Sequence, residues 1–146
     1  MSDLGLAKPN VREAVPFFGV MDMAASLRFY IDGLGFRMTN SWRPDGPDKV
    51  RWCALAIGGA TLMLQEYLPD DRPQEKLGKG VSVCFVCKDA LAIYRDAISR
   101  GLSPRRPFVG NNMWVVSFVD PDGYLVDFES PTDVPEETEY DPALHG

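Results

Sequence analysis

The chain has 146 residues, a formal net charge of -6, 45% apolar and 25% charged residues. Such a composition suits one globular domain with a sizeable core. It argues against nucleic acid as a partner, because phosphate neutralisation needs clustered Lys and Arg, and no stretch nears the ~20 apolar residues of a bilayer span. The opening residues lack the apolar core of a secretory leader, so a cytoplasmic location is expected. Asp133, Glu136, Glu137, Glu139 and Asp141 fall in 131–146 without any Lys or Arg. The rest of the chain is therefore nearly neutral, and net charge alone says little about a ligand.

Residues 14–20 read as a short strand whose Pro16 suits an edge. Asp22 stands as an N-cap to a helix over 23–34, where Leu27, Tyr30, Ile31 and Leu34 recur at helical spacing, and Gly33 and Gly35 close it. A strand follows over 36–42, then turn chemistry over 43–48. Residues 50–57 and 61–67 alternate as two strands joined by Gly58-Gly59, a hairpin signal. Residues 68–80 are polar and read as a linker. The second half repeats the order: a strand over 81–86, a helix over 88–99 closed by Gly101, a strand or loop over 102–111, a strand over 113–119, the Asp120-Pro-Asp-Gly123 turn and a strand over 124–129.

Residues match between the halves as well as elements. A shift of 64 brings Gly59 onto Gly123, Leu62 onto Val126, Leu64 onto Phe128 and Tyr30 onto Tyr94; a shift of 62 brings Trp52 onto Trp114. The expected organisation is a single domain over 1–146. Within it lie module one (14–67), a linker (68–80), module two (81–130) and an acidic C-terminal tail (131–146). A βαβββ module curls with its helix on one side, and its other side needs a cover that the second module can supply. A cavity between modules is the physical consequence of that reading.

Two stretches carry a family resemblance: residues 19–36, with Asp22, Ser26, Phe29, Tyr30, Leu34, Gly35 and Phe36, and residues 118–128, with Asp120-Pro-Asp-Gly123. They resemble the opening and the closing hairpin of the vicinal oxygen chelate superfamily, which includes glyoxalases, bleomycin-resistance proteins and extradiol dioxygenases. The resemblance implies an α+β fold of two βαβββ modules forming a curled mixed sheet around a cavity. It covers residues 14–131 and is specific for fold, whereas this fold hosts many chemistries.

Metal-dependent relatives use four ligands, commonly His, Glu, His and Glu, on the first and last strand of each module. The resemblance places those positions on Val15, Met63, Val81 and Asp127. Three are apolar, and the one histidine is His145. The expectation is therefore no metal and no cofactor. Cys53, Cys84 and Cys87 lie in apolar strands and read as structural thiols; a strand puts Cys84 and Cys87 on opposite faces, unlike a redox pair at a helix start.

What remains is an apolar and acidic cavity. Its candidate ligand-binding residues are Phe17, Trp52, Met63, Gln65, Phe108, Met113, Trp114, Asp127 and Glu129. For each aromatic, plain core packing is the competing explanation, and a solvated edge competes for the two acids. As a set they suit a planar ring system carrying positive charge. By resemblance to the metal-free bleomycin-resistance proteins, the expected function is stoichiometric sequestration of a planar, cationic small molecule, with a homodimer as the implied assembly. The site lies between modules or at a dimer interface. The alternative is a glyoxalase-like lyase or isomerase using Asp127 or Glu129 as a general base or atypical metal ligand. An Arg105-Arg106 anion clamp would instead imply an acidic ligand.

Overall fold

The computed structural model describes residues 9–146. Module one runs β1 (Phe17–Val20), α1 (Met23–Leu27), β2 (Arg37–Trp42), β3 (Trp52–Ile57) and β4 (Ala60–Glu66). Module two runs β5 (Ser82–Val86), α2 (Ala90–Ser99), β6 (Phe108–Gly110), β7 (Met113–Val119) and β8 (Leu125–Pro131), and a last short helix, α3, spans Pro142–His145. The sheets have the same order, β1-β4-β3-β2 and β5-β8-β7-β6, each with one parallel pair and two antiparallel pairs. The two-module α+β architecture expected from the repeat is thus the fold of the chain. Among the described residues no helix is long and apolar enough to cross a membrane.

Local chemistry starts each helix in the same way. Asp22 accepts a hydrogen bond from the Ala25 backbone N–H at 3.2 Å, and Asp89 accepts one from Ala92 at 3.0 Å, each satisfying a first-turn donor. After Leu27 the first helix widens into a π-helical turn over Arg28–Gly33, with the Leu34 N–H reaching back to the Phe29 carbonyl. From cap to closing glycine, Asp22 to Gly35 holds one residue more than Asp89 to Gly101. The wider turn absorbs that residue without breaking the helix. Gly35 and Gly101 both take positive φ, which lets each chain leave its helix sharply.

The cap-to-cap frame corrects two of the expected matches. Counted from the caps, Tyr30 corresponds to Ala97, and both are buried, while Tyr94 is half-buried. In the hairpins Cys53 pairs with Leu64 and Val116 with Phe128, so Trp52 corresponds to Val115 and not to Trp114. That one-residue difference puts the two tryptophans on opposite faces of their sheets.

One apolar cluster holds both modules together. Phe18, Val20, Leu55 and Leu64 of module one join Phe85, Val116, Phe118 and Phe128 of module two in it. Phe36 meets Phe85 at 5.8 Å between ring centroids, Phe29 meets Phe118 at 6.5 Å, and Phe18 stacks on Tyr124 at 3.9 Å. The two sequence signatures also bind each other. The Tyr30 hydroxyl donates to Asp120 Oδ2 at 2.7 Å, while Asp120 Oδ1 accepts from the backbone N–H groups of Asp122 and Tyr124, both at 2.9 Å. Burial, the largest effect on it, raises the Asp120 carboxyl above its ordinary range against the lowering effect of these donors.

The modules therefore join through their helix-facing sides. The sequence leaves open whether the cover for a module's open side comes from the same chain or from a partner, and within this chain it does not come from the other module: the helix-facing sides carry the larger apolar residues, and burying them against each other leaves both open faces turned outward. Phe17 is 53% exposed, Trp42 49%, Val86 71% and Phe108 43%. The tail lies along the outer edge of β6, where Val109 and Thr138, Glu137 and Val109, and Tyr140 and Pro107 share backbone hydrogen bonds of 2.8–2.9 Å. Tyr140 then packs on Tyr94 and Trp114 of its own chain, whereas Leu144 stays exposed.

Candidate functional site

Strand pairing arranges the open face of module one in rows. Phe17, Met63, Ala54 and Asn40 form one row across β1, β4, β3 and β2; Gly19, Gln65, Trp52 and Trp42 form the next. Four sequence-predicted residues, Phe17, Trp52, Met63 and Gln65, thus share one surface. Gly19 is required here for close approach, since a Cβ at that position would overlap the Tyr67 ring. Tyr67 lies over the strand with Phe17, Gln65 and Leu68 around a recess of about 400 Å³.

The open face of module two is built likewise but differs in chemistry. Cys84, Asp127 and Ser117 form one row, and Val86, Glu129, Val115 and Phe108 the next; Met113 lies beyond, opposite Pro131 and Gly110. Phe108, Met113, Asp127 and Glu129 are thereby brought together. Cys84 Sγ donates to Glu129 Oε2 at 3.0 Å. Burial first, and the Glu129 carboxylate second, push this thiol up to about 12, so it stays protonated as a donor at neutral pH. Asp127 Oδ1 is buried without a hydrogen-bond partner.

Several expectations about individual residues change. Trp114 does not join the other candidates: it is buried on the helix-facing side against Tyr140 and His145, with the His145 ring 5.0 Å away. The apolar pattern of β7 on both faces hid its direction. Cys84 is exposed on the open face, not buried as the strand pattern suggested, while Cys53 is buried and its thiol is raised to about 11 by that burial. Arg106 is committed to the tail, donating through Nε to the Tyr140 carbonyl at 3.0 Å and lying 3.9 Å from Glu139.

The open faces also carry Trp42, Tyr67 and Cys84, none of which the sequence marks as a binding residue. Gly19, an isolated glycine inside a strand, was the available signal for Tyr67. Trp42 ends a polar edge strand with weak alternation and gave none.

The metal positions implied by the family do not fit a metal in this chain. Val15, Met63 and Val81 offer no nitrogen or oxygen side-chain donor, and Asp127 stands alone among them. Among the described residues no group of three or more His, Cys, Asp or Glu side chains is arranged to hold an ion. None of the five main recesses brings Phe17, Trp52, Met63 or Gln65 of module one together with Phe108, Met113, Asp127 or Glu129 of module two. Within one chain the aromatic surface and the acidic surface are thus separate.

Residues 14–128 match the family model described as the Glyoxalase/Bleomycin resistance protein/Dioxygenase superfamily. The chain belongs to that superfamily. No curated protein matches the sequence. Among solved structures, a bleomycin-binding protein complexed with bleomycin is 25% identical with a TM-score of 0.62, the alignment covering 82% of this chain and 98% of that one. A bleomycin resistance determinant encoded on the transposon Tn5 is 23% identical, with a TM-score of 0.64 and coverage of 83% and 98%. TnmS3, an antibiotic binding protein from a Streptomyces species, is 23% identical, with a TM-score of 0.61 and the same coverage. These likenesses accord with the fold described above.

Proposed function

We propose that this superfamily member is a small-molecule binding protein of the bleomycin-resistance type, holding a planar, cationic ligand without turnover. The observation that carries the reading is the division of chemistry between the two open faces. Module one presents Phe17, Trp52 and Met63 with the amide of Gln65, and module two presents Asp127 and Glu129 with Phe108 and Met113. Flat apolar rings suit the first surface, and a protonated amine suits the second. The similar structures described as binding bleomycin or an antibiotic support the same ligand class.

One chain cannot bring these two surfaces over one ligand, because its helix-facing sides are already buried against each other. We therefore propose a homodimer in which module one of one copy faces module two of the other. That arrangement also covers Phe17, Val86 and Phe108, which are exposed in the single chain.

Isothermal titration of the protein with bleomycin in the presence of a chelator, with light scattering on the same sample, tests the reading. Saturable heat at one ligand per chain and a dimeric mass are expected. No heat at protein concentrations of tens of micromolar, with bleomycin or other cationic aromatics, would exclude this ligand class. A monomeric mass for the liganded protein would exclude the shared site.

A further inference from the structure

We propose that the helix-facing side of module one holds a second ligand site, separate from both open faces, for a primary amine carried on a short aromatic body. The site is a recess of about 440 Å³ between α1, the loop from β2 to β3 and the end of β4. That volume lies in the range of small-molecule pockets.

The internal repeat gives this recess a counterpart that is filled. Counted from the caps Asp22 and Asp89, Met23 corresponds to Ala90, Ala24 to Leu91 and Leu27 to Tyr94. Counted along the hairpins, Arg51 corresponds to Trp114 and Glu66 to Ser130. One hydrogen bond is kept in both places: the Met23 N–H donates to Glu66 Oε2 and the Ala90 N–H to Ser130 Oγ, each at 2.8 Å. In module two the seat framed by Tyr94 and Trp114 is taken by the tail. Tyr140 packs there with its ring centroid 5.1 Å from that of Tyr94, and the His145 ring lies 5.0 Å from Trp114. In module one the walls shrink, from Leu91 to Ala24 and from Tyr94 to Leu27, and the same seat is an open recess.

The chemistry of the walls selects the occupant. Met23, Leu27, Val50 and Leu68 offer apolar contact. Asp22, Asp45, Asp48 and Glu66 set four carboxylates against two cations, Lys49 and Arg51, and Arg51 pairs with Asp45. The Met23 bond uses Oε2 of Glu66, leaving Oε1 to accept from an ammonium group. The tail of a second copy would bring Glu136, Glu137, Glu139 and Asp141 towards these carboxylates, and like-charge repulsion disfavours it. An amine on an aromatic ring has the shape of the Tyr140 side chain and offsets the charge.

Glu66 leaves β4 on the side of Leu62 and Leu64, opposite the side of Met63 and Gln65. The recess and module one's open face therefore lie on the two sides of one sheet. The two sites can be tested apart.

Amide NMR titration of the full chain with phenethylamine makes the test, with hydrocinnamate, a carboxylate on a similar body, as the control. Saturable shifts of the Met23 and Ala24 amide signals are expected from the amine, with none from the control. Ala24→Leu installs the larger residue of the module-two wall at an exposed position. Glu66→Gln keeps an oxygen for the Met23 N–H and removes the charge. Each should weaken binding about threefold to tenfold. Phe17→Ala combined with Trp52→Ala, on the open face, should leave the titration unchanged.

Shifts that rise linearly with the amine, equal shifts from hydrocinnamate, or either recess variant binding as wild type does, overturn the site. Loss of the Met23 response in the Phe17→Ala, Trp52→Ala protein would assign the amine to the open face and remove the second site as well. Bleomycin binding without any phenethylamine response removes this site and keeps the role proposed above.

Discussion

Replacing Tyr30 with Phe removes one hydroxyl and leaves the ring in place, against Phe29 at 4.9 Å and Phe36 at 5.6 Å. What is lost is the donor to Asp120 Oδ2, in a site where Tyr30 is 0% and Asp120 4% exposed. Water does not reach that oxygen, so the change leaves a buried acceptor unmet. A hydrogen bond to a charged group contributes about 1.5–3 kcal/mol. Asp120 can escape part of the loss by taking up a proton, so the expected cost lies in the lower part of that range, about 2 kcal/mol.

The pH dependence has a definite sign. Burial already holds the Asp120 carboxyl above its ordinary range, and the Tyr30 hydroxyl is the first of the groups that lower it. Losing that hydroxyl raises the folded-state value further. A raised carboxyl favours the folded state at low pH and loses stability as pH rises through the folded value. The cost of the substitution should therefore be larger at pH 8 than at pH 4.5. Urea unfolding at one fixed protein concentration, with an unchanged m-value, measures it. Tyr94→Phe, in a half-buried ring with no counterpart to this bond, should cost under about 0.5 kcal/mol. A cost for Tyr30→Phe as small as that control, or one that shrinks as pH rises, would refute the reasoning.

Three further outcomes follow from the open faces. Gly19→Ala should push the Tyr67 ring off β1. Because that ring is half exposed and can swing away, stability should change by no more than about 1 kcal/mol, while binding weakens severalfold; equal binding in calorimetry would remove Tyr67 from the site. Asp127→Asn should weaken a cationic ligand and flatten the dependence of binding on salt, measured by titration at low and high ionic strength. The Cys84 thiol, raised from 9.0 to about 12, should alkylate slowly at pH 8, and Glu129→Gln should speed the reaction by lowering that value. The same shift stabilises the folded chain fully below pH 9 and is lost as pH climbs from there towards 12.

Much of the fold was legible because period-two alternation is unambiguous where one face is buried. Leu62 and Leu64, or Val126 and Phe128, could only face a core. The paired signatures around Tyr30 and Asp120 marked where the modules meet, although nothing in their spacing says that the two residues bond to each other. The relation between modules was not legible, since the alternation that puts Phe18 and Phe85 inwards is satisfied by either way of stacking two half-shells. Trp114 was misdirected because Trp114, Val115 and Val116 are all apolar, so a slip of one residue has no sequence signature. Trp42 ends a strand of Arg, Met, Thr, Asn and Ser in which no face is written clearly. Cys84 looked like core because Val83 and Phe85 flank it, yet its face is the open one.

The most direct test of the shared site is complementation between two disabled proteins. One carries Phe17→Ala and Trp52→Ala in module one; the other carries Asp127→Asn and Glu129→Gln in module two. Each alone should fail to bind. Mixed in equal amounts and allowed to exchange subunits, they should recover about a quarter of the wild-type sites, since half the dimers are mixed and each of those assembles one intact site from two unaltered faces. No recovered binding, with mixed dimers verified by native mass spectrometry, would contradict the claim that the ligand is held between module one of one copy and module two of the other.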